Sequence, residues 1–165
     1  MTVTGPREHA AQEQPYVAIR GHVSMAELGA FAARTGEVFA WLGARGLPPV
    51  GPPFLKYNVI DMMRQLEVEA GVPVAAPANG DGEVLPGVLP AGRYATLMHT
   101  GHPSELVGTT KALLDWAAAQ GLTWDMSPGE TGDRWASRLE IYLTDPREEP
   151  DMSKWVTQLA FRLAD

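Results

Sequence analysis

The sequence predicts an α+β domain made of two similar β-α-β-β modules related by a pseudo-two-fold axis, with antiparallel sheets and two long helices. Two observations predict it. A strand-like segment, a Gly-His pair, a helical pattern and W-x-x-x-x-G-L occur twice in the same order, at Tyr16–Leu47 and at Tyr94–Leu122. Each copy is then followed by two strand patterns, and mixed elements of this kind segregate into an α+β fold. Two copies are too few for a solenoid but suit a duplicated module.

In the first copy, Tyr16-Val17-Ala18-Ile19-Arg20 reads as a strand leading into Gly21-His22. Helix one starts at Ser24, because Ser24-Met25-Ala26-Glu27 is a capping box in which hydroxyl and carboxylate each satisfy an orphan N–H. Leu28, Phe31, Thr35, Val38, Phe39 and Leu42 follow at helical spacing. Gly46 sits where helices commonly stop in the left-handed conformation. Phe54–Asp61 and Leu66–Ala75 read as strands around a turn near Met62-Met63-Arg64. Residues 77–92, with four Gly and three Pro, read as a linker that can hold a short edge strand at Glu83–Leu89.

The second copy repeats the plan. Tyr94–Met98 is a strand, and helix two begins near Pro103-Ser104, Pro being tolerated in a first turn. Leu106, Val107, Thr110, Leu113, Leu114 and Ala117 form its stripe, and Gly121 closes it. Arg138–Thr144 and Trp155–Leu163 read as strands around the turn Asp145–Pro150. Residues 1–14 are polar and are expected to form a flexible tail ahead of one domain, 15–165, whose halves are about 15–76 and 88–165.

Composition narrows the function. Apolar residues make up 45% of the 165 and charged residues 20%, as expected of a packed globular chain. No stretch is long and apolar enough to span a bilayer, and the first fifteen residues lack a secretory core, so a cytoplasmic protein is expected. Without cysteine there is no disulfide, thiolate nucleophile or Cys-ligated metal. A net charge of −7 argues against direct nucleic-acid binding and permits cationic ligands. His99 and His102 fall in a turn with no further ligands nearby, so no metal site is expected. P-loop, G-x-S-x-G and helix-turn-helix signatures are missing. No cofactor is expected.

The residues able to carry chemistry cluster in the second module. Arg138-Leu139-Glu140-Ile141-Tyr142-Leu143 alternates with period two. Leu139, Ile141 and Leu143 are expected to meet the helices, leaving Arg138, Glu140 and Tyr142 on the other face. There Glu140 is either wet and paired with Arg138, or a desolvated anion beside aromatic rings that favours a large, flat, poorly hydrated cation. Trp41 and Trp116 lie roughly 110–120° off their own helix stripes, so each is exposed, packed on the other half, or lining a cleft. Tyr57 is core or pocket wall. Phe54, Lys56 and Asn58 share the opposite strand face, and Glu67 and Glu69 are expected on a solvated one.

Four segments in order carry a family resemblance: Trp41 with Gly46-Leu47 before a Pro-rich turn and Tyr57; Leu66–Val74; Leu89-Pro90-Ala91-Gly92-Arg93-Tyr94; and Leu139–Pro146, whose E-x-Y-L-x-D-P run is the most specific. With these the chain resembles the GyrI-like small-molecule-binding family, the effector-binding module of AraC-type and MerR-type regulators, which also occurs alone. The resemblance covers about Tyr16–Leu163. It implies two modules around a central pocket into which Glu140 reaches, flanked by aromatics; Tyr142, Tyr57, Trp41, Trp116, Trp135 and Phe54 are the candidates. The expected ligands are large hydrophobic aromatic molecules, often cationic, in a multidrug-binding or sequestering protein. Met62, Met63 and Met126 are candidates for adaptable contacts. Two alternatives stay open. Some similar proteins hydrolyse cyclopropane-containing electrophiles, which would make Glu140 a general base with Tyr57 or Tyr142 as donor. Others are gyrase-inhibiting, protein-binding modules.

Overall fold

The computed structural model describes residues 5–61 and 63–165. In chain order these form β1 (Arg7–Ala11), β2 (Gln14–Val23), α1 (Leu28–Ala32), α2 (Thr35–Ala44), β3 (Phe54–Ile60), β4 (Leu66–Pro73), β5 (Val84–Leu89), β6 (Gly92–Thr100), α3 (Leu106–Ala119), β7 (Met126–Ser127), β8 (Asp133–Trp135), β9 (Arg138–Tyr142) and β10 (Val156–Arg162). All strand pairs are antiparallel, in the order β1-β6-β10-β9-β3-β4-β2-β5, and the β7–β8 hairpin attaches to the end of β3. The fold is α+β.

Both helices end alike. Gly46 and Gly121 have φ of 66° and 71°, and Leu47 and Leu122 donate to Leu42 O and Ala117 O. Each is a Schellman closure, for which glycine carries no Cβ penalty. The bridges Pro49↔Val74 and Trp124↔Leu163 follow at matching places. The registers of β2, β3 and β4 and those of β6, β9 and β10 fit one superposition, in which Tyr16 maps onto Tyr94, Tyr57 onto Tyr142, and Pro73 onto Arg162. The axis runs through the β3–β9 seam, where the halves meet edge to edge.

The outermost strands are exchanged. β1 precedes the first module but pairs with β6 of the second; β5 precedes the second but pairs with β2 of the first. Residues 7–11 therefore depart from the expected tail: the Arg7↔Thr96 to Ala11↔Gly92 ladder and an Arg93–Glu8 ion pair at 3.2 Å hold them. The polar composition that suggested a tail is that of an exposed edge strand. Residues 1–4 and Met62 lie outside the described residues, as do those parts of the expected tail and turn. The edge strand expected within 83–89 is β5.

Helix one is broken. Ser24 N–H donates to Glu27 at 2.9 Å, as the capping box predicts, but the first turn is a 3₁₀ helix and a turn at 33–34 separates α1 from α2. The Thr35 hydroxyl bonds Ala32 O across that break, and Gly29 and Gly36 flank it, all weak helix formers. Phe31, Val38 and Leu42 still reach the core. α2 lies over β2 and β4, α3 over β6, and the seam strands lie between them. No helix is long and apolar enough to cross a membrane.

Candidate functional site

Across the seam, Leu55 lies directly opposite Glu140. The two occupy equivalent places in the two halves, so the axis passes between an apolar and an acidic side chain. Leu55, Tyr57 and Tyr142 pack with the helix residues Val38 and Leu42. Glu140 lies opposite Leu159 and Arg138 opposite Phe161, both packed with α3 residue Leu113. The polar face of β9 therefore points toward the helices. The expectation that Leu139 and Ile141 meet them is reversed: these two pack on the far face with Tyr16, Phe54, Tyr94 and Ala160. Period-two alternation separates two faces but does not say which one the helices cover.

Glu140 is half-buried and held from both sides. The Tyr57 hydroxyl donates to Oε2 at 3.0 Å and the Tyr142 hydroxyl to Oε1 at 3.1 Å. These tyrosines are equivalent residues of the two modules, so a symmetric pair of donors closes on one carboxylate. Burial pushes the Glu140 carboxyl above its ordinary value, and the two hydrogen bonds, then Arg138 and His99, pull it back. Burial and the neighbouring Glu140 raise both tyrosines, so their hydroxyls stay protonated donors at neutral pH.

Arg138 is not the ion-pair partner of Glu140 that its place in the sequence suggested. Its guanidinium carbon lies 4.4 Å from the Phe161 ring centroid, 4.6 Å from Trp135 and 5.9 Å from Tyr57. Its buried Nε has no hydrogen-bond partner among the described residues. Trp135, Trp124 and Phe161 pack on each other at 5.7–5.8 Å between centroids. Sequence could not join Arg138 to Phe161, because the cross-strand register that pairs them is a long-range feature.

The other candidates sit apart. Trp41 packs half-buried on the first module's own core, with Arg45 stacked 4.0 Å from its ring. Trp116 likewise packs on the second module's core. Phe54 is buried on the far face, edge-on to Tyr16 at 5.2 Å, and does not approach Glu140. Met63 is exposed, and Met126 packs against the second core.

The far face holds a second polar cluster. Glu69, expected in solvent, is buried and accepts from Tyr16 at 2.8 Å and Asn58 at 2.7 Å, with Lys56 Nζ at 3.6 Å and Arg20 at 3.9 Å. Asn58 follows Lys56 onto this face by alternation, and a bulge between Tyr57 and Val59 then returns Ile60 to the helix side. Burial lowers the Lys56 amine, against the pull of Glu69. A concavity of about 470 Å³ opens here, between this cluster and the β7–β8 hairpin. It is separated from Glu140 by the sheet. Alternation alone puts Lys56 with Asn58 and Glu67 with Glu69, but the register that sets Lys56 opposite Glu69 and the hairpin that covers them have no sequence signal.

Among solved structures, the EcmrR C-terminal domain superposes with a TM-score of 0.76 at 17% identity, over 99% of both chains. In the EcmrR–DNA complex this chain spans only 57% of the matched protein. SAV2435 bound to tetraphenylphosphonium matches at TM-score 0.63 and 9% identity, over 96% of this chain and 93% of that one. A structure described as a hydrolase from Listeria innocua also gives 0.63, at 16% identity and 98% and 92% coverage. These likenesses establish shared architecture. No curated protein sequence matches the chain. Residues 6–164, nearly its whole length, match the GyrI-like small molecule binding domain, and the chain belongs to that family.

Proposed function

We propose that this chain binds large, flat aromatic cations on the helix-facing side of the β3–β9 seam, as a sequestering or multidrug-binding protein of the cytoplasm. One observation carries the reading: a half-buried carboxylate whose two oxygens are held by two tyrosine hydroxyls, two residues along the strand from a cation seated on the Trp135 and Phe161 rings. A carboxylate removed from bulk water discriminates for a poorly hydrated cation, since a well-hydrated one must shed its shell to reach it. Ring faces add about 1–2 kcal/mol each when desolvated. The solved relative bound to tetraphenylphosphonium supports this ligand class.

The test is binding of tetraphenylphosphonium and of neutral triphenylphosphine oxide to wild type and Glu140→Gln. The phosphonium should weaken at least tenfold while the neutral compound changes little, as expected when about 1.4 kcal/mol of charge interaction is lost. Equal losses for both would contradict the electrostatic role. Because burial raises the Glu140 carboxyl, cation affinity should begin to fall above the ordinary carboxylate range as pH is lowered.

The same carboxyl favours a second reading, hydrolysis of an electrophile, with Glu140 as base for water and a tyrosine hydroxyl as donor. Product formation from a cyclopropanoid substrate, abolished by Glu140→Gln, would select it over binding alone.

A further inference from the structure

We propose that Arg138 is a built-in competitor for the cation site and sets its selectivity. The inference rests on the binding role of Glu140 and adds a residue to it. A guanidinium on three aromatic faces, two residues along the strand from the acid, occupies the surroundings that an aromatic cation seeks. Ring contacts alone hold it there. No hydrogen bond or ion pair joins its guanidinium to any described residue, and the buried Nε has lost its water without gaining an acceptor. An arginine placed for structure is ordinarily forked onto a carboxylate or a carbonyl, as Arg162 is with Asp125 and Ala91 O. Arg138 has rings in place of acceptors, and the carboxylate two residues on is satisfied by tyrosines instead.

The consequence is a threshold. A weakly binding cation meets a like charge already seated against Trp135 and Phe161. A ligand with more ring surface gains enough contact to displace the side chain, whose long stem lets the head swing toward solvent. Neutral aromatics feel no charge repulsion and lose only the space the guanidinium fills. Arg138 thus screens Glu140 from small cations and reserves it for large ones.

The experiment measures binding of tetraphenylphosphonium, tetramethylammonium and triphenylphosphine oxide to wild type, Arg138→Met, Arg138→Gln, Arg138→Lys and Glu140→Gln at about pH 8, well above the ordinary carboxylate range. Thermal melts confirm folding, and the two neutral replacements guard against failure of either one. Arg138→Met and Arg138→Gln should tighten tetraphenylphosphonium about tenfold and bring tetramethylammonium into a measurable range, with the neutral oxide within about threefold and Arg138→Lys near wild type. Equal tightening of the oxide would make Arg138 a matter of volume and overturn the proposal. Unchanged or weakened phosphonium binding in both neutral variants would make it a structural support and overturn it as well. In those two cases a loss in Glu140→Gln leaves the cation-binding reading intact. Absence of phosphonium binding in wild type and all variants overturns both.

Discussion

Replacing Tyr57 with Phe removes one donor from Glu140 and leaves the ring in place. The lost bond is 3.0 Å long and made by a residue only 7% exposed, so water has poor access to the orphaned oxygen. Hydrogen bonds to charged groups contribute about 1.5–3 kcal/mol, against about 0.5–1.5 for neutral pairs. Tyr57→Phe should therefore cost about 2 kcal/mol near pH 7. For a chain of this length that is a fall in Tm of about 6 °C. In a Glu140→Gln background the acceptor is neutral, and the same change should cost about 1 kcal/mol. The double-mutant cycle, measured by urea denaturation, should return a coupling of about 1 kcal/mol. Tyr94→Phe is the control, since that hydroxyl donates to Pro90 O at 2.7 Å; its cost should be the same with or without Glu140. An identical Tyr57→Phe cost in both backgrounds would refute the claim that the hydroxyl serves a buried charge.

Glu140→Gln on its own should show the stability side of the same carboxylate. Its folded-state value is raised by burial, so between the unfolded value near 4.5 and the higher folded one the unfolded chain is ionised first. Wild-type stability should fall through that window as pH rises, and the variant should not share the fall; melting curves from about pH 4 to pH 7 that stay parallel would contradict this. Gly71→Ala tests the far face. A Cβ there would meet the Phe54 ring at 2.7 Å and Ala18 at 3.3 Å, so Phe54 must move, at a cost of about 1–3 kcal/mol in urea denaturation. A neutral result would mean that the ring is not fixed in place.

The duplication and its punctuation were legible because they are local. Gly46, Gly121 and the Ser24–Glu27 box act within a few residues of themselves, and all three take the predicted conformations. The E-x-Y strand was legible too, because alternation puts Glu140 and Tyr142 on one face. Which face meets the helices was not, since apolar residues lie on both: Leu139 and Ile141 are as well packed by Tyr16, Phe54 and Tyr94 as they would be by a helix. The burial of Glu69 depends on Tyr16 and Asn58, 53 and 11 residues away, and on the register that sets Lys56 opposite it. The aromatic seat of Arg138 depends on a strand register between β9 and β10, fixed by the whole sheet.

Leu55 and Glu140 face each other where the two modules meet, and this bears on why the chain carries both copies in tandem. Two identical half-chains associating as a homodimer would place the same side chain twice on the dyad. Twin glutamates directly opposed would repel, and twin leucines would offer a cation nothing. Fused in one chain, one copy can keep the hydrocarbon while the other carries the acid, so a lone anion between matched phenols is something no assembly of identical halves can make.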